Sequence, residues 1–506
     1  MLKTCGELSL NEVDQEVREH LASGDLGSAM DAIRDAVDTV INNPRSVARV
    51  YASRDLDRLC EQVAERVPAT IEKKPRRGTL IIATELAAAG GHVEVIKDLV
   101  RLGNCPAPVE LLLTDTFERV DAATQQGYAA AMGVPLHLAH GNDSNQRLRS
   151  VMSVLQGQRP HTVVLLVHNQ DAVGVVAGLA CDAQKALFVH HGDHHLSLGV
   201  TCTRFTHVDL SNSAFHNCRH TIGVRDNVYW PLTLSSHKEN RHSGRFMESG
   251  HLVTSCVGRP EKFDDPSYRF QYLDLVGLIL HSTGGHHLHV GQLRDDQLQR
   301  IEAGLDKHGI DRARFEHIPW VPSVSQALVS RGVDLYLTSF PYGGGKSQVE
   351  VMASAIPTLI HANYRSNVLC GIDLGYPGVL TWHNESDLER VLRSMTQEKL
   401  LAHSALARAH FERHHSEEAL GRAMSASSTR EEDVPPLADV HHDGLQAFLD
   451  EERSLFGDDA RKEVNQLQHL LAQQASDIHV LRKKARFLGT ARYQVTVLWK
   501  SWVRSN

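Results

Sequence analysis

From Gly78 onward the chain alternates short apolar runs with segments whose apolar residues recur at helical spacing. Apolar runs bounded by turn residues are typical of buried strands, and the longer periodic segments are typical of amphipathic helices. This pattern predicts a first series of strands at Thr79–Thr84, Val109–Leu113, Pro135–Leu138, Thr162–Val167, Ala186–Val189 and Val208–Leu210. A helix is predicted at Val93–Leu102.

A second series of the same units begins near Leu252. Its predicted strands are Leu252–Val257, His287–Val290, Phe315–Ile318, Val333–Leu337 and Pro357–His361. Repeated strand-helix units imply parallel sheets with helices on both faces. We therefore expect an α/β protein with two doubly wound domains facing across a cleft, which bind ligands beyond the carboxyl ends of their strands.

The two ends of the chain have a different pattern. Residues from about Leu8 to Val67 have helical spacing with a turn at Gly24-Asp25, and Lys73–Arg77 is a basic linker. The segment Ser425–Pro436 is polar and ends in proline, so a second linker is expected there. Beyond it, apolar residues fit a broken heptad that predicts a short coiled coil or packing arm: Val464, Leu467, Leu471, Ile478, Leu481, Ala485 and Leu488.

The last residues carry no acidic side chain after Asp477. Basic residues mingle there with aromatic ones, namely Arg482, Lys483, Lys484, Arg486, Phe487, Arg492, Tyr493, Trp499, Lys500, Trp502 and Arg504. Such a segment can lie on an anionic membrane surface. Packing on the acidic body or on a partner subunit explains the composition equally well.

Composition excludes several classes of protein. The 506 residues are 42% hydrophobic and 23% charged, as in ordinary globular proteins, and the net charge of −8 gives no support to nucleic-acid binding. The 8 cysteines are scattered without a C-x-x-C pair and are expected to be reduced thiols, mostly in the core. With no predicted signal sequence or membrane span, a cytoplasmic location is expected.

The stretch S-F-P-Y-G-G-G-K-S-Q-V-E-V-M-A-S-A-I-P combines a strand end, a glycine triplet and a helix. The glycines Gly343–Gly345 let the backbone approach a ligand, and the helix N-terminus and Lys346 supply positive charge for a phosphate. A capping box from Ser347 to Glu350, or a mobile loop, is the alternative interpretation. A P-loop is excluded because Phe340 occupies its first glycine position.

A histidine-rich segment, H-H-G-D-H-H, follows the predicted strand Ala186–Val189. A metal site, a substrate-contacting cluster with one general base, and hydrogen-bonded scaffolding all remain open for it. Adjacent residues of an extended segment point to opposite sides, so not all of its histidines can converge on one ion.

Two further strand ends carry candidate ligand contacts. Gly90-Gly91-His92 is either a close-approach turn or a plain strand-helix connection. In G-R-P-E-K-F, Arg259 or Lys262 could reach a diphosphate, and an ordinary surface role is equally compatible with them.

Together these motifs resemble the GT-B class of nucleotide-sugar-dependent glycosyltransferases. The resemblance is to the O-linked N-acetylglucosamine transferase-like group and related bacterial polysaccharide and protein glycosyltransferases, and it covers about Gly78 to Met424. It implies an N-terminal helical region (1–76), a Rossmann-like acceptor domain (77–245), a Rossmann-like nucleotide-sugar domain (246–424), a linker (425–445) and a basic helical tail (446–506).

The resemblance also implies residue roles. Gly344, Gly345, Lys346 and Lys262 would meet the diphosphate, Glu350 the ribose, and Gly91 and His92 the donor from the other half. The candidate catalytic residues are Asp193, His194 and His92, with Asp193 the first choice as base. Many retaining members carry a glutamate where this chain has Tyr342, which favours an inverting reaction. No metal and no cofactor other than the nucleotide sugar are expected, because lysines and the helix dipole supply the neutralising charge.

The expected partners are a nucleotide-sugar donor and a glycan, lipid-linked or protein acceptor. The tail would provide peripheral contact with the inner face of the membrane or with another copy of the chain, and no nucleic acid is expected. Two alternatives stay open. One is a nucleotide-sugar epimerase of the same fold, and the other is a non-catalytic scaffold derived from a transferase.

Overall fold

A computed structural model describes residues 4–68, 75–86, 91–102, 105–192, 194–235, 240–426, 428–437 and 443–455. The chain divides into two compact units. The smaller consists of Met1–Ser9 and Gln446–Asn506. In its described part, Arg453 donates hydrogen bonds to the backbone carbonyls of Gly6 and Leu8. The larger unit, Leu10–Leu445, contains every strand of the described chain.

The residues before the first strand are helical, as predicted, and form α1 (Leu10–Ser23), α2 (Leu26–Ile41) and α3 (Arg54–Glu65). Asp25 in the predicted turn caps α2 by accepting from the backbone N–H of Ser28. Asp57 of α3 accepts from the backbone N–H groups of Gly199 and Thr201 at 2.6 and 2.8 Å, which fastens these helices to the first α/β half. Burial raises the pKa of Asp57 to about 6.

The first half contains a parallel sheet of seven strands: β1 (Thr79–Ala83), β2 (Val109–Leu113), β3 (Leu136–Leu138), β4 (Thr162–Leu166), β5 (Lys185–His190), β6 (Thr206–Asp209) and β7 (Val228–Tyr229). Their spatial order is β3-β2-β1-β4-β5-β6-β7. Every residue of β1 and β4 is buried, which is why their sequences are continuously apolar rather than alternating.

The second half repeats this arrangement with six parallel strands: β8 (Thr254–Val257), β9 (His287–Val290), β10 (Phe315–Ile318), β11 (Leu335–Leu337), β12 (Thr358–His361) and β13 (Leu380–Trp382). The spatial order β10-β9-β8-β11-β12-β13 matches that of the first six strands of the other sheet. Each sheet therefore reverses its strand order once, between β1 and β4 and between β8 and β11.

Helices connect the strands and follow the second sheet: α4 (Gly91–Leu102), α5 (Ala122–Met132), α6 (Ser144–Gln158), α7 (Ala172–Ala180), α8 (Asn212–Asn217), α9 (Tyr272–Thr283), α10 (Asp295–Lys307), α11 (Val324–Ser330), α12 (Gly345–Ala353), α13 (Glu385–Arg393), α14 (Gln397–His414), α15 (Glu417–Ser425) and α16 (Leu445–Leu455). Within the described residues no helix has the length and apolarity needed to cross a bilayer. All eight cysteines are buried thiols outside any disulfide, as predicted.

The chain returns to the first half after completing the second. Leu420 of α15 lies in the same apolar cluster as Ile81 of β1 and Val164 of β4. Beyond α15, the hydroxyl of Thr429 accepts from the backbone N–H of Tyr229, and Val434 is buried beside the same tyrosine. The described part of the predicted linker thus packs on the first half, and the domain boundaries remain predictions.

The two doubly wound α/β sheets predicted from the sequence are confirmed. The strands that the sequence pattern missed are β7 and β13, which have only two and three residues and lie at sheet edges. The predicted heptad and the basic aromatic segment lie outside the described residues.

Candidate functional site

The candidate site lies at the carboxyl ends of the strands where each sheet reverses its order. His92 and His168 follow β1 and β4 in the first half, and Lys262 and the glycine triplet follow β8 and β11 in the second. Ligands of open α/β sheets bind in the crevice at this position. The sequence-predicted residues are therefore carried by the strand ends that are expected to line a ligand site.

Three histidines form a cluster in the first half. The ring of His92 lies 5.3 Å from that of His168 and 5.9 Å from that of His191, measured between centroids. Burial lowers the pKa of all three, to about 4 for His168 and about 3 for His191. All three imidazoles are thus neutral at pH 7, the state required of a general base.

The tautomer of His92 is determined by its hydrogen bond. Its Nε2 lies 3.0 Å from the backbone carbonyl of Glu85, which can only accept, so Nε2 carries the proton and Nδ1 the lone pair. The positive charge of Arg259 in the second half adds to burial in lowering the pKa of His92. His92 consequently has the orientation of a base held by a second group, and it lies near the other half.

Adjacent side chains of the histidine-rich segment point to opposite faces of the sheet, as expected for an extended backbone. His190 hydrogen-bonds Asp209 on one side of β5, whereas the ring of His191 lies beside His92 and His168 on the other. The prediction that not all of its histidines converge is confirmed by His190 and His191. His194 is exposed with its ring next to His195, and its carbonyl accepts from the N–H of Ala48. Asp193 lies outside the described residues.

Lys262 is the positively charged side chain of the second half of the site. Its ammonium donates to the backbone carbonyl of Gly343 at 2.6 Å, so it lies against the predicted glycine loop. Burial, together with the charge of Arg259, lowers the pKa of Lys262 to about 8. Among the described residues no carboxylate pairs with this ammonium. It is therefore favourably disposed toward an anionic ligand.

The glycine triplet is required by close packing. A Cβ on Gly343 would lie 2.6 Å from the backbone of Cys370, one on Gly344 would lie 2.6 Å from Nζ of Lys262, and one on Gly345 would lie 3.1 Å from two leucine methyl groups. The loop is therefore packed on three sides, which favours close approach over the mobile-loop alternative. A Cβ on Gly91 would meet no described atom within 4 Å, so that glycine borders open space.

Helix α12 begins at Gly345 with Gly344 as its N-cap, and no side chain of the described residues caps it. The capping-box alternative is wrong, because the hydroxyl of Ser347 donates to the carbonyl of Gly344 and Glu350 faces another helix. The positive end of α12 is left to a ligand or to water.

We expect Gly344→Ala to weaken binding of an anionic ligand at the loop by about tenfold or more, because its methyl group would lie 2.6 Å from the Lys262 ammonium and from Ser347 Oγ and would displace them. Titration calorimetry with nucleoside diphosphates measures the change. Gly157→Ala on helix α6 is the control, since its methyl group would meet no described atom within 4 Å and the residue lies outside the candidate site. Equal affinities of Gly344→Ala and wild type would mean that Lys262 does not bind the ligand from its present position.

Lys346 has partners inside the protein. Its ammonium contacts the carboxylate of Asp98 on α4 and the backbone carbonyl of Thr233. Asp98 also lies 3.3 Å from Arg101, which in turn pairs with Glu417 of α15. These charges link the glycine helix of the second half to the first half. Contact between Lys346 and a diphosphate stays a prediction.

Glu350 lies beside the N-terminus of α11. Its Oε1 accepts from the backbone N–H of Ser325 at 2.8 Å and from the hydroxyl of Ser323 at 3.3 Å. This arrangement fixes the carboxylate, and its predicted contact with a ribose stays a prediction.

Sequence reasoning missed three features of this region: His168, Asp265, and the proximity of Arg259, a predicted candidate for the diphosphate, to His92. The hydroxyl of Tyr342 donates to Asp265 at 2.9 Å, and Arg365 pairs with the same carboxylate at 2.7 Å. His168 opens the polar run H-N-Q-D directly after β4, a signal that the sequence offered. The other two are revealed only by the folded chain.

No family model and no curated protein matches the sequence. In structure the chain is similar to HepE (Alr3699) from Anabaena in complex with UDP, with a TM-score of 0.52 at 13% identity over 68% of this chain and 97% of that one. HepE with UDP-glucose gives a TM-score of 0.50 at 12% identity, covering 69% and 98%. A glycosyltransferase from Rickettsia africae ESF-5 gives 0.51 at 11%, covering 68% and 96%. The chain therefore has the two-domain α/β fold of the GT-B glycosyltransferases, as predicted from its sequence.

Proposed function

We propose that the protein transfers a sugar from a nucleotide-sugar donor to a glycan, lipid-linked or protein acceptor. Two features in one arrangement support this proposal. Lys262 lies against the glycine loop that precedes helix α12, whose N-terminus has no side-chain cap among the described residues. The neutral base His92 of the first half lies close to Arg259 of the second. A cation and a helix N-terminus bind a leaving diphosphate, and a neutral imidazole accepts a proton. Both are needed at a site of sugar transfer.

The donor is proposed to lie along the carboxyl ends of the second sheet. Lys262 and the first N–H groups of α12 would hold the diphosphate, with Gly344 and Gly345 allowing its approach and Lys346 leaving Asp98 to add a charge. Glu350 would accept hydrogen bonds from the ribose hydroxyls. Trp320 is 74% exposed and lies three residues before Ser323, which contacts Glu350. The Trp320 ring would therefore stack on the nucleobase.

The chemical step is proposed to be an inverting displacement. The acceptor hydroxyl would attack the anomeric carbon while His92 Nδ1 takes its proton, and the bond from that carbon to the diphosphate oxygen breaks. The leaving diphosphate keeps the bonding electrons and is stabilised by Lys262 and the helix N-terminus. Asp193 and His194 are the alternative bases. No step is assigned to a metal, since Lys262 and the N-terminus of α12 supply the neutralising charge. In the first half, Gly91 leaves room for the donor.

A panel of UDP-, GDP- and dTDP-sugars scored by thermal shift tests the proposal, because a ligand that binds the folded state raises apparent stability by mass action. We expect one class of nucleotide sugar to raise the melting temperature and to be consumed with an acceptor. Consumption without an acceptor that yields an isomer of the sugar would identify the epimerase alternative. If none of the panel binds, the proposed function is wrong.

Glu350→Gln is expected to weaken binding of the selected donor about tenfold, since the amide still accepts from Ser325 but is a poorer acceptor for two ribose hydroxyls. Calorimetric titration measures the affinity, and Glu316→Gln, at the exposed position of strand β10, is the control. Unchanged affinity in Glu350→Gln would place the ribose elsewhere.

A further inference from the structure

A buried group of four side chains with metal-binding chemistry lies on the face of the first sheet opposite His191. His190 is the last residue of β5, His207 and Asp209 belong to β6, and Cys218 begins a π-helical turn directly after α8. The exposed fractions are 1%, 4%, 0% and 0% in that order. None of these side chains has a role in the proposed sugar transfer.

The strand register brings the group together. His190 of β5 is aligned with Asp209 of β6, and Phe188 is aligned with His207. Because residues two apart on a strand share a face, His190, His207 and Asp209 all point to the same side of the sheet. Helix α8 crosses that side and delivers Cys218 through its π-helical turn, an irregularity that is frequent at functional sites.

The distances within the group suit a single small cation. One ligand atom from each of the four residues lies within 4.8 Å of the others. Asp209 Oδ1 is 3.2 Å from His190 Nδ1 and 2.9 Å from His207 Nε2, and Cys218 Sγ is 3.5 Å from His190 Nδ1. Bonds of about 2.0–2.3 Å to a tetrahedral zinc ion imply ligand separations of about 3.3–3.7 Å, so small side-chain adjustments suffice.

We infer that His190, His207, Asp209 and Cys218 form a structural zinc site in the first domain. Two imidazoles, a thiolate and a carboxylate fill the four positions of a closed tetrahedral site, and the mixture of nitrogen, sulfur and oxygen ligands suits Zn²⁺ better than Mg²⁺ or Ca²⁺. Binding displaces the thiol proton of Cys218 to solvent, which leaves the thiolate as ligand.

Residues around the group hold the Asp209 carboxylate by hydrogen bonds, as the residues that surround the ligands of a metal site do. The side-chain amide of Asn227 donates to Asp209 Oδ2 at 2.7 Å, leaving Oδ1 directed at the two histidines. Asn227 is itself fixed by the guanidinium of Arg219, which donates to its Oδ1 at 2.9 Å. Such support orients the first ligands and is a regular feature of zinc centres.

The site would stabilise the strand end that carries the histidine cluster. His190 binds on one face of β5, and the next residue, His191, contacts His92 on the other. A zinc ion on the first face would therefore fix the direction of the backbone that presents His191. This role is independent of the proposed sugar transfer, because zinc binding is measured without a donor or an acceptor.

The test measures zinc in the purified full chain by mass spectrometry of the metal, before and after chelation and after return of Zn²⁺. We expect about one bound zinc per chain in wild type, loss of that zinc in Cys218→Ser, and its retention in Cys202→Ser, another buried cysteine of the same half. His220→Ala controls for the partly exposed group His216, His220 and Glu431, which also has metal-binding residue types. Zinc lost from His220→Ala but kept in Cys218→Ser would overturn the inference.

Cobalt spectroscopy of the wild-type chain keeps the inference testable if Cys218→Ser does not fold. Co²⁺ in a tetrahedral site with a thiolate gives an intense sulfur-to-cobalt charge-transfer band together with visible ligand-field bands, and Zn²⁺ should remove both. A folded wild-type chain that binds neither zinc nor cobalt, or that binds cobalt without the charge-transfer band, would rule out the site.

Discussion

Lys262→Met is expected to reduce the affinity for the nucleoside diphosphate of the donor by about a hundredfold or more. The substitution keeps an unbranched side chain but removes the ammonium that contacts the glycine loop, and a charge-assisted contact in a desolvated site is among the strongest that a protein makes. Calorimetric titration of the diphosphate measures the loss. Lys307→Met, at the exposed end of α10, should leave the affinity unchanged. A variant at Lys262 that binds like wild type would place the diphosphate elsewhere.

The pKa of Lys262 gives this prediction a pH dependence. Because the pKa is about 8 in the free protein, the lysine is charged at neutral pH and loses its proton above about pH 8. We therefore expect the affinity for the diphosphate to fall as the pH rises, by about tenfold per unit until the pKa of the complex is reached. Lys262→Arg should abolish this dependence, since arginine stays protonated. Constant affinity of wild type from about pH 7 to about pH 9.5 would contradict the assignment.

The titration of Lys262 affects the stability of the ligand-free protein in the opposite direction to ligand affinity: stability improves as the pH rises. Its folded pKa of about 8 lies below the ordinary value of 10.5, so the unfolded chain holds more protons between these values. The contribution of Lys262 to stability is therefore unfavourable below about pH 8 and improves as the pH rises toward about 10.5. Lys262→Met should accordingly raise the melting temperature of the ligand-free protein at pH 7, which separates lost binding from lost folding.

The fold could be predicted because buried parallel strands leave a simple sequence pattern. Residues such as Thr79–Ala83 and Val109–Leu113 are apolar runs bounded by turns, and the same succession occurs twice. The edge strands β7 and β13 were not found this way. Nor does the pattern reveal that α15 returns to the first half, since Leu420 looks like any apolar helical residue until its neighbours are known.

The candidate site was predictable in position but not in its contacts. The glycine triplet pointed to close approach, yet only the folded chain shows that the approaching groups are Cys370, Lys262 and two leucines. The sequence predicted that Lys346 binds the ligand. In the folded chain its ammonium contacts Asp98, which is 248 residues away in sequence. Long-range pairing of this kind leaves no local signal, whereas the opposed directions of His190 and His191 follow from strand geometry alone.

His92→Gln is expected to lower kcat about a hundredfold to a thousandfold while leaving the KM for the donor nearly unchanged. The glutamine amide still donates to the carbonyl of Glu85, so the side chain keeps its anchor and loses only its basic nitrogen. Steady-state kinetics of sugar transfer measure both constants. Asp193→Asn and His194→Gln are the matched comparisons. A loss of this size in either, with His92→Gln near wild type, would assign the base to that residue.

The dependence of kcat/KM on pH reports on His92 of the first half and on Lys262 of the second half in one measurement. Burial and the charge of Arg259 hold the pKa of His92 below 6.5, so the rate should rise with pH on an acid limb below that value. It should fall again near pH 8 as Lys262 loses its proton. His92→Gln should remove only the acid limb, and Lys262→Arg only the alkaline one, because each limb reports one free-enzyme group. A profile whose acid limb persists in His92→Gln would show that another residue accepts the proton.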